Sequence, residues 1–169
     1  MHELGFLHND IKLENILIGR YDPQEIYLID FGLSSSFLDK NCKHIKKKQL
    51  NYFSGNLLFA SLSSCRGCNK SRRDDIESAF YILVYLLNDQ TLPWSHFEAR
   101  FEKSSHPEKK AIQHRLFKCY TRQIVNMIPA EMFECFKQIM RCRFDEVPKY
   151  NLILQSLQAC FEKAVQQAD

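Results

Sequence analysis

Two short apolar runs, Ile16-Leu17-Ile18 and residues 26 to 29, are separated by the turn-rich stretch GRYDPQE. Short apolar runs bounded by Gly, Asp and Pro read as strands, and this close spacing makes them an antiparallel pair. From Leu33 to about Ser64 the pattern is irregular and polar. That is long for a connection inside a domain, and loops of this length are usually functional or disordered; this one reads as a functional loop. In DDIESAFYILVYLLND, Asp74 and Glu77 have capping-box spacing, and residues 79 to 87 are apolar throughout. A helix that is apolar on every side is buried on every side, which predicts a central helix over about 74–88. Pro93 and Trp94 mark a turn. Pro129 opens a helix with Met132, Phe133, Phe136, Ile139 and Met140 on one face. A last stripe follows at Ile153, Leu157, Cys160, Phe161 and Ala164. Both stripes read as core packing, and C-terminal helices are expected over about 108–165. The predicted fold class is mainly α with one small β-hairpin.

Composition narrows the setting. A chain of 169 residues with 45% hydrophobic content is one domain, or one large lobe of a bigger one, with enough apolar mass for a core. The formal charge of +3 is small and the basic residues are spread out, which points to no nucleic-acid partner. Lys46, Lys47 and Lys48 form the one tight basic run and read as a solvated loop. No stretch reaches the roughly 20 apolar residues of a membrane span, and the N-terminus lacks a basic region followed by an apolar core. An intracellular location is expected, cytoplasm and/or nucleus. Seven cysteines without regular spacing fit reduced thiols better than a disulfide framework. Cys65 and Cys68 make a single CxxC, with no second pair at ligand spacing to complete a zinc site.

Chemistry enters with HNDIKLEN, residues 8 to 15, immediately before the first strand. Asp10, Lys12 and Asn15 share that loop, and Asp30 follows the second strand in Asp30-Phe31-Gly32. A hairpin brings the two loop ends together. Asn15 and Asp30 then offer hard oxygen ligands suited to a Mg²⁺ ion carrying phosphates. Asp10 can accept a hydroxyl proton, and Lys12 can balance charge on a transferring phosphoryl group.

H-x-D-x-x-x-x-N followed by a strand pair and D-F-G resembles the catalytic and metal-binding loops of protein kinases. Together with SRRDDIES at 71 to 78, YILVYLL, TLPW at 91 to 94, RFDEVPKY at 143 to 150 and FASLS at 59 to 63, the chain resembles the casein kinase I family of serine/threonine kinases. The likeness runs from Met1 to about Phe161 and covers only the C-terminal lobe. It implies a partial kinase domain over 1–169, with a catalytic loop at 8–15, D-F-G at 30–32 and an activation segment at 30–63. It also implies ATP and Mg²⁺ as cofactors and proteins as substrates. Carried over, Asp10 matches the catalytic base, Lys12 the phosphate-contacting lysine, and Asn15 and Asp30 the metal ligands. Leu17 and Ile29 match apolar positions on the floor of the nucleotide pocket. Asp75 matches the central-helix carboxylate that holds the catalytic-loop backbone.

Departures from the family pattern are as specific as the matches. Asn9 replaces the Arg that binds a loop phosphate in phosphorylation-activated kinases, which argues against that control. Asn56 stands where the family has a Thr that contacts the catalytic Asp and Lys. Leu58 and Glu98 replace an Arg and a Lys of the family's site for acidic or pre-phosphorylated substrates, so unprimed substrates are expected. Phe80 replaces a small Gly. Met1 aligns inside the helix preceding the catalytic loop, so the β-rich N-terminal lobe is absent from the sequence. Two expectations follow: this is the C-lobe of a longer, ATP-dependent kinase, inactive alone, or it is a non-catalytic pseudokinase lobe. The second predicts a protein partner covering the surface left by the missing lobe.

Overall fold

The structure is a computed structural model, and it describes residues 1–50, 52–97, 103, 105, 109, 112 and 123–166. Four short strands pair into two separate ribbons. β1 (Phe6–Leu7) pairs antiparallel with β4 (Ser35–Ser36), and β2 (Ile16–Ile18) with β3 (Ile26–Leu28). In the second ribbon Ile16 faces Leu28, Leu17 faces Tyr27 and Ile18 faces Ile26, the pair expected from the apolar runs. The ribbon closes at Gly19, whose N–H donates to the Glu25 carbonyl at 2.8 Å.

The remaining mass is helical: α1 (Leu62–Cys65), α2 (Arg72–Leu87), α3 (Met132–Arg141) and α4 (Tyr150–Gln166). The mainly α architecture with few short strands is the predicted class. The core lies around α2, where Tyr81 and Val84 meet Trp94, Leu92, Ile124, Met132 and Cys135. Trp94 packs edge-on against Tyr81 at 5.3 Å, and its Nε1–H donates to the Leu58 carbonyl at 2.7 Å. A buried indole needs such a partner. Phe80, in place of a small residue, stacks on Phe136 at 5.6 Å and ties α2 to α3.

Several local readings change. The capping box of α2 is Ser71 with Asp74 rather than Asp74 with Glu77, and the helix begins at Arg72. Asp74 Oδ2 accepts from Ser71 N at 2.7 Å, while Glu77 turns inward and accepts from Leu62 N at 2.6 Å and Tyr81 Oη at 2.8 Å. Nor is α2 buried all round, since Leu83, Leu86 and Leu87 are exposed near its end. α3 starts at Met132, a turn after Pro129, and Phe133 falls outside its buried face of Met132, Cys135, Phe136 and Ile139. α4 buries only Ile153 fully; Leu157 and Cys160 pack partly on the core, and Phe161 and Ala164 face out. The helix reaches past the mass it packs against, so its apolar stripe outruns its partners. The polar stretch after Leu33 is ordered by β4, by the isolated bridges Leu38–His44 and Gln49–Cys68, and by α1. Of residues 108–122, all but Lys109 and Ile112 lie outside the described residues. No helix among the described residues is long and apolar enough to cross a membrane.

Candidate active site

The loop preceding β2 ends in a short 3-10 turn, Leu13–Asn15, whose apolar residue Leu13 packs on the core with Ile11 and Ile16. Apolar residues alternating with Asp10, Lys12 and Asn15 anchor the loop while its polar atoms converge. Asp10 is buried, and its Oδ2 meets Lys12 Nζ at 2.7 Å. Asn15 Nδ2 donates to the Asp10 carbonyl at 2.9 Å and to Oδ2 at 3.3 Å. Asp10 Oδ1 accepts the backbone N–H of Asn56 at 3.0 Å. A carboxylate offers about four acceptor sites, so these contacts leave capacity for a hydroxyl. The Asp10 carboxylate raises the pKa of Lys12 above the ordinary lysine value, with further pull from Glu14 and Asp30, so Lys12 stays charged.

Asp75 on α2 holds the loop from beneath. Its Oδ2 accepts His8 N at 2.8 Å and its Oδ1 accepts Asn9 N at 2.9 Å. His2 Nε2 meets the same Oδ2 at 3.0 Å, and its Nδ1 pairs with Tyr150 Oη at 2.7 Å, joining α2 and α4 to the chain start. His8 Nδ1 accepts Asp10 N at 3.3 Å and its Nε2–H donates to the Ile29 carbonyl at 3.0 Å, which fixes the tautomer. The ring so held links the two loop ends.

The second loop end lies alongside. Ile29 N donates to the Asn15 carbonyl at 2.9 Å, which sets Asp30 beside the first loop. Asp30 is exposed and left-handed at φ 61°, a region Asp tolerates, and its Oδ1 accepts Gly32 N at 3.2 Å. Among the described residues Asn15 Oδ1 and Asp30 Oδ2 have no hydrogen-bond partner. Two hard oxygens on adjacent loops fit a Mg²⁺ that brings phosphate and water for its other positions. The described residues hold no cluster of three His, Cys, Asp or Glu side chains that could bind a metal unaided.

Leu17 and Ile29 are not core: they are 46% and 37% exposed, on the same apolar ribbon as Ile18 and Tyr27. Leu58 is buried in the core, so no cation stands there. Glu98 lies outside the described residues. The Asn56 side chain turns away from Asp10, its Oδ1 accepting Phe59 N at 3.0 Å. Sequence reasoning missed His2 and Lys70, which reach the loop only through tertiary contacts. No local pattern marks either one.

Comparison with known proteins places this geometry. A model described as the protein kinase domain matches residues 1–158. A protein of Encephalitozoon cuniculi described as "Probable casein kinase I homolog" is 34% identical over 163 residues. The match covers 95% of this chain and 49% of that protein, so the chain spans about half the length of the curated relative it matches. With its loops, D-F-G and helical lobe carried on a match of that extent, this chain belongs to the protein kinase family and is casein kinase I-like.

Proposed function

We propose that this chain is the C-terminal lobe of an intracellular serine/threonine kinase of casein kinase I type, acting in the cytoplasm and/or nucleus. The observation that carries this reading is the convergence of Asp10, Lys12 and Asn15 in a partly buried loop beside Asp30. Asp10 accepts the proton of a substrate Ser or Thr hydroxyl as that oxygen attacks the γ-phosphorus of ATP. The bond to the β–γ bridging oxygen breaks and ADP leaves. Lys12 offsets charge on the phosphoryl oxygens, and Asp75 keeps the loop backbone at the required height. Asn15 and Asp30 would hold Mg²⁺, which supplies further charge neutralisation on the phosphates. Leu17 and Ile29 present the apolar surface for the base.

Leu58 buried in the core removes a cation from the family's acidic-substrate site, which supports a preference for unprimed peptides. A matched peptide pair, phosphorylated and not, tests this at low salt; preference for the phosphorylated peptide overturns it.

A second reading, a non-catalytic lobe acting as an interaction module, draws support from the Asn56 side chain turned away from Asp10. It calls for a stable partner over the exposed β2–β3 face. Calorimetric titration of nucleotide, with and without Mg²⁺, on the longest gene product carrying this sequence separates the two. The kinase reading expects Mg²⁺-dependent binding that falls tenfold or more in Asp30→Ala and Asn15→Ala. Absence of Mg²⁺-dependent binding in the wild type overturns it.

A further inference from the structure

Asn9, immediately before Asp10, sits at a left-handed φ of 70°. Asn accepts that region more readily than most residues because its short polar side chain bonds locally. Here it bonds across to another segment. Its Nδ2 donates to the Leu33 carbonyl at 2.7 Å and to Ser35 Oγ at 2.8 Å, the residues directly after D-F-G. Its own carbonyl accepts Lys70 Nζ at 2.5 Å, and the same ammonium donates to the Ser54 carbonyl at 3.0 Å.

Ser54 precedes Gly55, at φ 95°, where a Cβ would meet the Asn9 carbonyl oxygen at 2.9 Å. Only glycine lets the later part of the segment come this near the loop. Asn9 thus touches the start of the activation segment through its side chain and the later part through Lys70. Between these contacts is a cavity of about 410 Å³ bordered by Asn9, Leu33, Ser35, Ser54 and Lys70. Close packing does not fill that space, so the polar contacts position the segment. Burial lowers the Lys70 pKa, while Asp75, Asp74 and Asp10 counter that shift.

We propose that Asn9 and Lys70 form a phosphate-independent latch that fixes both parts of the activation segment against the catalytic loop, making them positioning residues for Asp10. An Arg at position 9 would hold such a segment through an added phosphate. The Asn9 amide holds it without modification. This inference rests on the kinase reading for its purpose, but the latch is measurable without catalysis.

Hydrogen exchange on the longest gene product carrying this sequence provides that measurement. Asn9→Asp keeps the size and the left-handed tolerance but removes both donors, and Lys70→Met removes the ammonium. Asn9→Asp is expected to speed exchange roughly tenfold in peptides covering 33–37, and Lys70→Met in those covering 52–56. The β2–β3 ribbon and the melting temperature stay unchanged in both. Asn9→Gly, which retains the backbone conformation, gives the same local change and serves if Asn9→Asp does not fold. Unchanged exchange in these peptides overturns the latch. So does acceleration spread over the whole chain with a lowered melting temperature, which marks a purely structural role. Nucleotide titration on the same proteins reports on the kinase reading separately.

Discussion

The catalytic loop and the strand pair that follows it are neighbours in sequence and opposite in character. In residues 8–15 the buried polar groups are paired apart from Asn15 Oδ1: Asp75 accepts two loop amides, Asp10 meets Lys12, Asn15 and Asn56, and His8 bridges to Ile29. On the β2–β3 ribbon, Ile18 and Ile26 are 71% and 69% exposed, with Leu17, Tyr27 and Ile29 beside them. The loop has its partners inside the chain, whereas the ribbon presents apolar surface to the outside. Contiguous exposed apolar surface marks a ligand or partner site, whereas a satisfied polar network fixes geometry. Fixed chemistry next to an open apolar surface is what a nucleotide site requires.

The sharpest way to break the contrast is Asp75→Ala. It leaves the His8 and Asn9 amides without that acceptor and removes one of the two side-chain partners of His2, the other being Tyr150. Urea unfolding is expected to show a loss of about 3 kcal/mol or more. A loss under about 1 kcal/mol would show that the network is not what holds the loop.

Next comes Glu77, pushed up to about 7 chiefly by burial and then by the nearby Asp74 charge. Its folded pKa lies above the unfolded value. The stability it contributes is therefore full below about pH 4.5 and is lost as pH rises to about 7. Glu77→Gln removes that titration. The variant is expected to gain on the wild type between pH 5 and 8, by at most about 3 kcal/mol, in paired thermal melts. A difference between the two proteins that does not vary with pH would contradict the burial account.

The smallest stability effect belongs to the ribbon. Leu17→Ser and Ile29→Ser, at exposed positions, are expected to change stability by less than about 0.5 kcal/mol. On the kinase reading they weaken nucleotide binding several-fold, measured by titration on the longest gene product. A large stability loss would make the ribbon part of the core and erase the contrast.

Apart from Asp75, which the family resemblance placed under the loop and which reaches it from 66 and 67 residues away, the residues legible in the sequence are those brought together by short stretches of chain. Asp10, Lys12 and Asn15 lie within six residues, and one hairpin returns Asp30 to them. Competing local signals were harder to order: Ser71-x-x-Asp74 and Asp74-x-x-Glu77 both have capping spacing. Burial decided between them by giving Glu77 the Leu62 amide. Phe161 and Leu87 fit the helical stripes yet lie exposed, because hydrophobicity does not reveal where a packing partner ends. The contact of His2 with Tyr150 spans 148 residues, and Lys70 reaches Asn9 across 61. Only the assembled fold brings these pairs together.

On the proposed kinase reading, Asp10 is the base of a phosphoryl-transfer site. The most direct test of that role is phosphoryl transfer to a Ser-containing peptide by the longest gene product carrying this sequence, comparing wild type with Asp10→Asn. Removing a positioned base costs roughly 10² to 10⁴-fold in kcat, while Asn15 and Asp30 remain to bind Mg²⁺-nucleotide. The expected result is a loss of that size with nucleotide affinity nearly unchanged. Equal turnover by the two proteins would contradict it.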